Sequence, residues 1–127
     1  MRVLIVESNL DLGTVWKKYI ERRGCEVLLV ADQGSAIDAL RGADIDIIVL
    51  DLVLDEGSAF AVADFASYRL PDAKVIFVTN TTFFSDGSIF RHIPNACAFV
   101  QSHTPPDDLV AMVEHYGERP GHSKPVQ

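Results

Sequence analysis

The stretch Ile47-Ile48-Val49-Leu50-Asp51-Leu52-Val53-Leu54-Asp55-Glu56-Gly57 decides the fold. Four consecutive apolar residues without polar alternation form a strand buried on both faces, as in a parallel sheet covered by helices. A carboxylate, Asp51, then stands where that strand emerges into a turn that ends in glycine. In an open α/β sheet that strand end is where ligands and chemistry collect. The same arrangement occurs near the N-terminus, where Val3-Leu4-Ile5-Val6 is followed by Glu7. Two carboxylates at two strand ends point to one shared site.

Outward from these two runs, Val27–Val30, Val75–Val78 and Ala96–Val100 complete a set of five apolar segments. Their starts lie roughly 20 to 28 residues apart, the repeat of a strand plus a crossover helix. Between the first two, Leu12, Val15, Trp16, Tyr19 and Ile20 form a helical stripe, Arg22 and Arg23 complement the helix C-terminus, and Gly24 supplies a left-handed cap. The last helix begins at Thr104-Pro105-Pro106-Asp107, with a Thr cap, Pro in first helical position and an acid in the first turn; Leu109, Met112, Val113 and Tyr116 supply its buried stripe. From Asn80 to Asn95 the pattern is weaker, because Thr81, Thr82, Gly87 and Pro94 are poor helix residues, and a short or distorted helix around Ser88 to Ile93 is expected. The sum is a doubly wound α/β fold with a five-stranded parallel sheet over residues 1–116, followed by a disordered tail over 117–127.

Composition removes several functional classes. The 127 residues carry a net charge of −7, which disfavours a phosphate-backbone binder, and direct nucleic-acid contact is not expected. Cys25 and Cys97 have no metal-ligand or disulfide spacing and read as free thiols of a reducing, cytoplasmic compartment. No run approaches the ~20 apolar residues of a membrane span, and the N-terminus has no signal-peptide pattern. No Ser-His-Asp or zinc constellation suggests an enzyme acting on its own, and His92, His103, His115 and His122 have no ligand spacing.

Taken together, the segments resemble the receiver domain of bacterial two-component response regulators, a flavodoxin-like fold of the chemotaxis-regulator type. Five features match in order: Val-Leu-Ile-Val-Glu7 after a basic residue, Asp51 after the third strand, Gly57 six residues on, Thr79 after the fourth strand and Phe99 on the fifth. The resemblance implies that Asp51 accepts a phosphoryl group from a histidine kinase or histidine phosphotransfer protein. It implies a Mg²⁺ held by Glu7, Asp51 and the Val53 carbonyl, since phosphoryl oxygens and a hard cation want oxygen ligands. Thr79 and Phe99 would be the switch, changing the surface read by a downstream protein target. No output domain is expected beside this one, and a homodimer remains open.

Four positions depart from the family pattern. Ser8 stands where a second acid binds the metal, and a neutral hydroxyl is a poor ligand for a hard cation, so Mg²⁺ binding is expected to be weak or absent. Ser102 stands where a lysine normally pairs with the phosphoryl group, and its neutral hydrogen bond is about half as strong as a charge-assisted one. Asp55 adds negative charge beside the site, and Asn80 replaces a smaller residue on the approach path. His103 lies next to the lysine position but is mostly neutral at pH 7.

Plainer roles stand beside these. Asp51 also suits a loop cap, Glu7 a helix-dipole acid, Thr79 an ordinary strand residue and Phe99 a permanently packed aromatic. Phe83, Phe84 and Phe90 fit a helix–sheet contact, although two adjacent aromatics cannot both face inward, which leaves one for a docking patch. Two mechanisms follow from the resemblance: an inefficient phosphoacceptor, or a pseudo-receiver that binds partners without phosphorylation. A flavodoxin-like cofactor protein using Ser8, Asn9, Gly13 and Thr14 as a phosphate loop is the remaining alternative, opposed by the charges of Glu7 and Asp11.

Overall fold

The computed structural model describes residues 1–79 and 93–117. In chain order the elements are β1 (Arg2–Val6), α1 (Leu10–Glu21), β2 (Glu26–Val30), α2 (Gln33–Gly42), β3 (Ile47–Asp51), α3 (Ala59–Arg69), β4 (Lys74–Thr79), β5 (Ala96–Gln101) and α4 (Pro106–Gly117). The helix expected between Asn80 and Asn95, with Phe83, Phe84 and Phe90, falls on residues 80–92 and lies outside the described residues, as does the tail over 118–127.

Each of the five apolar segments is a strand, and all pair in parallel in the order β2-β1-β3-β4-β5. Continuous apolarity has the expected cause: Val3–Val6, Ile47–Leu50 and Val75–Val78 are fully buried. Side chains alternate between two cores. Leu4, Ile48, Leu50, Val75 and Phe77 pack against Ala36 and Leu40 of α2 and Val62, Ala63 and Ala66 of α3. Val3, Ile5, Ile47, Val49 and Ile76 pack against Trp16 and Ile20 of α1 and Leu109, Val110 and Val113 of α4. At about 1.5–3 kcal/mol per fully buried large apolar side chain, the central strands dominate the stability.

Local signals set the helix ends. Asn9, Asp32 and Ser58 each occupy an N-cap and accept a backbone N–H with their side chains, from Leu12, Ser35 and Ala61 respectively. Past the end of α1, Gly24 has φ +89° and its N–H bonds the Glu21 carbonyl at 2.9 Å, the left-handed turn expected of it. Arg23 reaches across to Glu114 of α4 at 3.0 Å, while the Arg22 guanidinium covers the Tyr19 ring.

Three expectations need correction. Val15 does not join the buried stripe of α1 but is 41% exposed, because Trp16 and Ile20, one turn apart, fill the space over the sheet. The last helix starts at Pro106, with the Pro105 carbonyl accepting the Leu109 N–H at 3.2 Å, so the second proline takes the first helical position. Gly117 closes that helix instead of opening the tail. Cys25 and Cys97 are free, half-buried thiols, and burial pushes the Cys97 thiol up to about 11. No described helix is long and apolar enough to cross a membrane.

Candidate functional site

Because all five strands are parallel, Glu7, Asp51, Thr79 and Ser102 lie along the same edge of the sheet, at the carboxyl ends of β1, β3, β4 and β5. Their order across the sheet follows from the pairing: Val6 lies opposite Leu50, Asp51 opposite Val78, and Thr79 opposite Gln101. Backbone bonds extend the ladders beyond the strands, with Glu7 N–H to Val30 O at 3.0 Å, Leu52 N–H to Val78 O at 2.8 Å and Ser102 N–H to Thr79 O at 2.8 Å. The site is therefore anchored on rigid elements.

Glu7 and Asp51 come together. Glu7 is 2% exposed; its Oε2 accepts the Asn9 N–H at 3.0 Å, and its Oε1 is buried with no hydrogen-bond partner. An unpaired buried carboxylate oxygen is costly, and a proton or a cation relieves it. Burial is the largest cause that raises the Glu7 carboxyl to about 8, followed by its hydrogen bond to Asp51 and the charges of Asp51 and Asp55. Burial and the neighbouring Asp51 carboxyl thus both favour the protonated form of Glu7.

Asp51 Oδ1 accepts the Val53 N–H at 2.9 Å, an Asx-type turn that starts the loop between β3 and α3. That bond is the capping role anticipated for an Asp at this place, and it coexists with the contact to Glu7. Val53 itself is 67% exposed. Thr79 is buried at the end of β4. Phe99 is partly buried, its ring stacked on Phe77 with centroids 5.5 Å apart and an interplanar angle of 27°. Asn80 lies outside the described residues.

Ser8 behaves differently from a spare ligand. Its hydroxyl donates to the Ala31 carbonyl at 2.7 Å and accepts the Asp55 N–H at 2.9 Å. A further residue, Gln33, stands out only in three dimensions: its N–H donates to Glu56 O at 3.2 Å and its Oε1 accepts the Ser58 N–H at 2.8 Å. Gly57 between them has φ +95°, and a Cβ there would lie 2.3 Å from the Gln33 Cβ, so both backbone and space demand glycine. The sequence signal for this was the glycine itself, without its partner.

These residues fit a divalent cation in part. Glu7 and Asp51 offer adjacent carboxylates with one buried oxygen unmet, whereas the Ser8 hydroxyl is committed elsewhere. Among the described residues, no group of three or more His, Cys, Asp or Glu side chains is arranged to hold a metal.

No protein-family model and no curated protein matches this sequence. Solved structures do match. A CheY-like response regulator receiver domain protein from Methanospirillum hungatei JF-1 superposes with a TM-score of 0.83 at 21% identity, over 91% of this chain and 92% of that one. The non-phosphorylated HemR receiver domain from Leptospira biflexa gives 0.82 at 23% identity, over 94% and 97%. The response regulator TrrA from Thermotoga maritima, in complex with Mg²⁺ and BeF, gives 0.78 at 20% identity, over 91% and 97%. The fold of this chain is that of response-regulator receiver domains.

Proposed function

We propose that this domain is a receiver-like signalling module of a two-component system or phosphorelay, with Asp51 as phosphoacceptor. The observation that carries this reading is the contact between Asp51 and the buried, unmet carboxyl of Glu7, at the strand ends of a receiver fold. Asp51 Oδ attacks phosphorus, a P–O bond forms as the P–N bond to the donor histidine breaks, and the histidine nitrogen leaves with the electron pair. The donor is a histidine kinase or histidine phosphotransfer protein, and the domain acts on a downstream protein by binding it, without turnover of its own.

Glu7, Asp51 and the Val53 carbonyl are the residues that would hold Mg²⁺, whose chemistry is to neutralise charge on the phosphoryl oxygens. Glu7 must lose its proton to serve there, and Ser8 adds no charge, so the proposed affinity is weak. Thr79 supplies a hydroxyl for the phosphoryl group, and Phe99, packed on Phe77, is the aromatic that responds. Ser102 replaces a cationic clamp with a neutral donor, which lowers the population of the phosphorylated packing.

The second reading is a pseudo-receiver that binds its partner without phosphorylation, and the engagement of Ser8 in loop contacts favours it. Incubation with a small phosphodonor and Mg²⁺ separates the two. A gain of one phosphoryl mass that disappears in Asp51→Asn supports the phosphoacceptor, whereas no gain over hours with excess donor rejects it and leaves the pseudo-receiver. Beryllofluoride with Mg²⁺ is expected to bind weakly at Asp51; binding of ordinary receiver strength, with shifts at Thr79 and Phe99, would contradict the weakened site.

A further inference from the structure

Three loops leave the sheet at the edge that carries Asp51: residues 7–9 after β1, 31–32 after β2 and 52–58 after β3. The third is the longest, and beyond Leu52, whose N–H still bonds the Val78 carbonyl, its polar backbone groups have no ladder to join. Groups from the first loop, from the start of α2 and from the end of β3 meet them instead. Ser8 takes the Asp55 N–H, Gln33 takes the Ser58 N–H and gives its own N–H to Glu56 O, and Asp51 takes the Val53 N–H.

A hydroxyl has one donor and two acceptor lone pairs. In Ser8 the donor and one lone pair are used, on groups that belong to two different loops. The single oxygen therefore joins all three strand ends: its own after β1, Ala31 after β2 and Asp55 after β3. Gln33 closes the same gap from the side of α2, and Gly57 lets it approach by leaving its Cβ position empty. Losing either side chain would strand backbone groups that water must then solvate.

We propose that Ser8 and Gln33 are positioning residues that brace the 52–58 loop in one arrangement around Asp51, without any cation. The bridge between the first and third strand ends is then made by a neutral hydroxyl. The proposal does not depend on phosphoryl transfer, so it stands or falls separately from the phosphoacceptor reading.

Amide hydrogen exchange on the full chain tests it. In the wild type, protection at Asp55 and Ser58 should be the same with millimolar Mg²⁺ as with chelator. Ser8→Ala should speed exchange at Asp55 about fivefold or more, the worth of one net hydrogen bond, while Val49 and Ile5 stay unchanged. Ser8→Thr keeps the hydroxyl and should keep the protection. Gln33→Ala should act chiefly at Ser58, and the double variant should exceed the product of the single effects because both brace one loop. Unchanged protection at Asp55 in Ser8→Ala overturns the proposal. So does a severalfold rise in wild-type protection on adding Mg²⁺, a measurement that needs no variant to fold.

Discussion

Replacing Glu7 by Gln should change how the stability of this domain depends on pH. In the unfolded chain the carboxyl titrates near 4.5; in the folded protein it is raised to about 8, first by burial and then by the Asp51 hydrogen bond and charge. Between those values the folded state holds a proton that the unfolded state has released. Stability therefore falls as pH rises through that window, by at most about 1.4 kcal/mol per unit. Relaxation and water entry lower the ceiling, and about 2 kcal/mol lost between pH 5 and 7.5 is the expected size. Gln has nearly the same shape, its amide can donate to Asp51 and its carbonyl can accept the Asn9 N–H, and it does not titrate. Urea unfolding at half-unit pH steps gives the stability of both proteins, and their difference cancels the other titrating groups. Glu7→Gln should match the wild type near pH 5 and exceed it by about 2 kcal/mol at pH 7.5. A difference that stays flat from pH 5 to 8 would refute the raised Glu7 carboxyl, and a wild type more stable than the variant at pH 8 would show that the ionised form is the stabilising one. Millimolar Mg²⁺ should shrink the difference at high pH if a cation takes the place of the proton, and chelator should restore it.

Gly57→Ala should cost about 2–3 kcal/mol in urea unfolding, from about 1–2 for a left-handed residue with a Cβ plus displacement of Gln33, while Gly24→Ala, also at positive φ but with nothing within 4 Å, should cost only the first part. Equal losses would deny that Gln33 occupies the space at Gly57. Phe77→Ala removes a fully buried ring that meets both Phe99 and Phe60, and about 3–5 kcal/mol is expected. Loss below 1 kcal/mol would mean that the aromatic cluster is not a packed unit. Ser8→Asp and Ser102→Lys together should strengthen Mg²⁺ and beryllofluoride binding by more than the two single changes combined, because both act on one anion; simple additivity in a binding titration would argue against a shared site.

What the sequence made legible is what burial and charge constrain strongly. Ile47–Leu50 and Val75–Val78 can be apolar at every position only if both faces are covered, so five parallel strands and helices on two faces follow almost directly from the runs. Val15 escaped the helical reading because a stripe fixes a direction, not how far each flank is covered once Trp16 has filled the space. The site divides in the same way. Glu7 and Asp51 were visible as acids at apolar strand ends, since placing a carboxyl there is costly unless something meets it, and the structure sets a buried Glu7 close enough to a half-buried Asp51 for the two carboxyls to interact.

Ser8 was visible only as a missing charge. Its two partners lie 23 and 47 residues away, and a hydroxyl is too common and too cheap to place for spacing alone to reveal them. Gln33 left still less trace, because the feature that needs it is an empty Cβ position at Gly57, 24 residues on by sequence number. Both residues gain their meaning from the register of β1, β2 and β3, which brings the three loops within hydrogen-bonding distance. A neutral brace also has an electrostatic consequence that a second acid would not. With the Asp55 charge already beside Glu7 and Asp51, a fourth carboxyl group at position 8 would raise the local field further unless a cation were bound, whereas the hydroxyl lets the loops close at no cost in charge. In the proposed reading, the hydroxyl that offers no charge to a cation is also the group that closes the cation-free loops, so the two effects cannot be separated by looking at the metal alone.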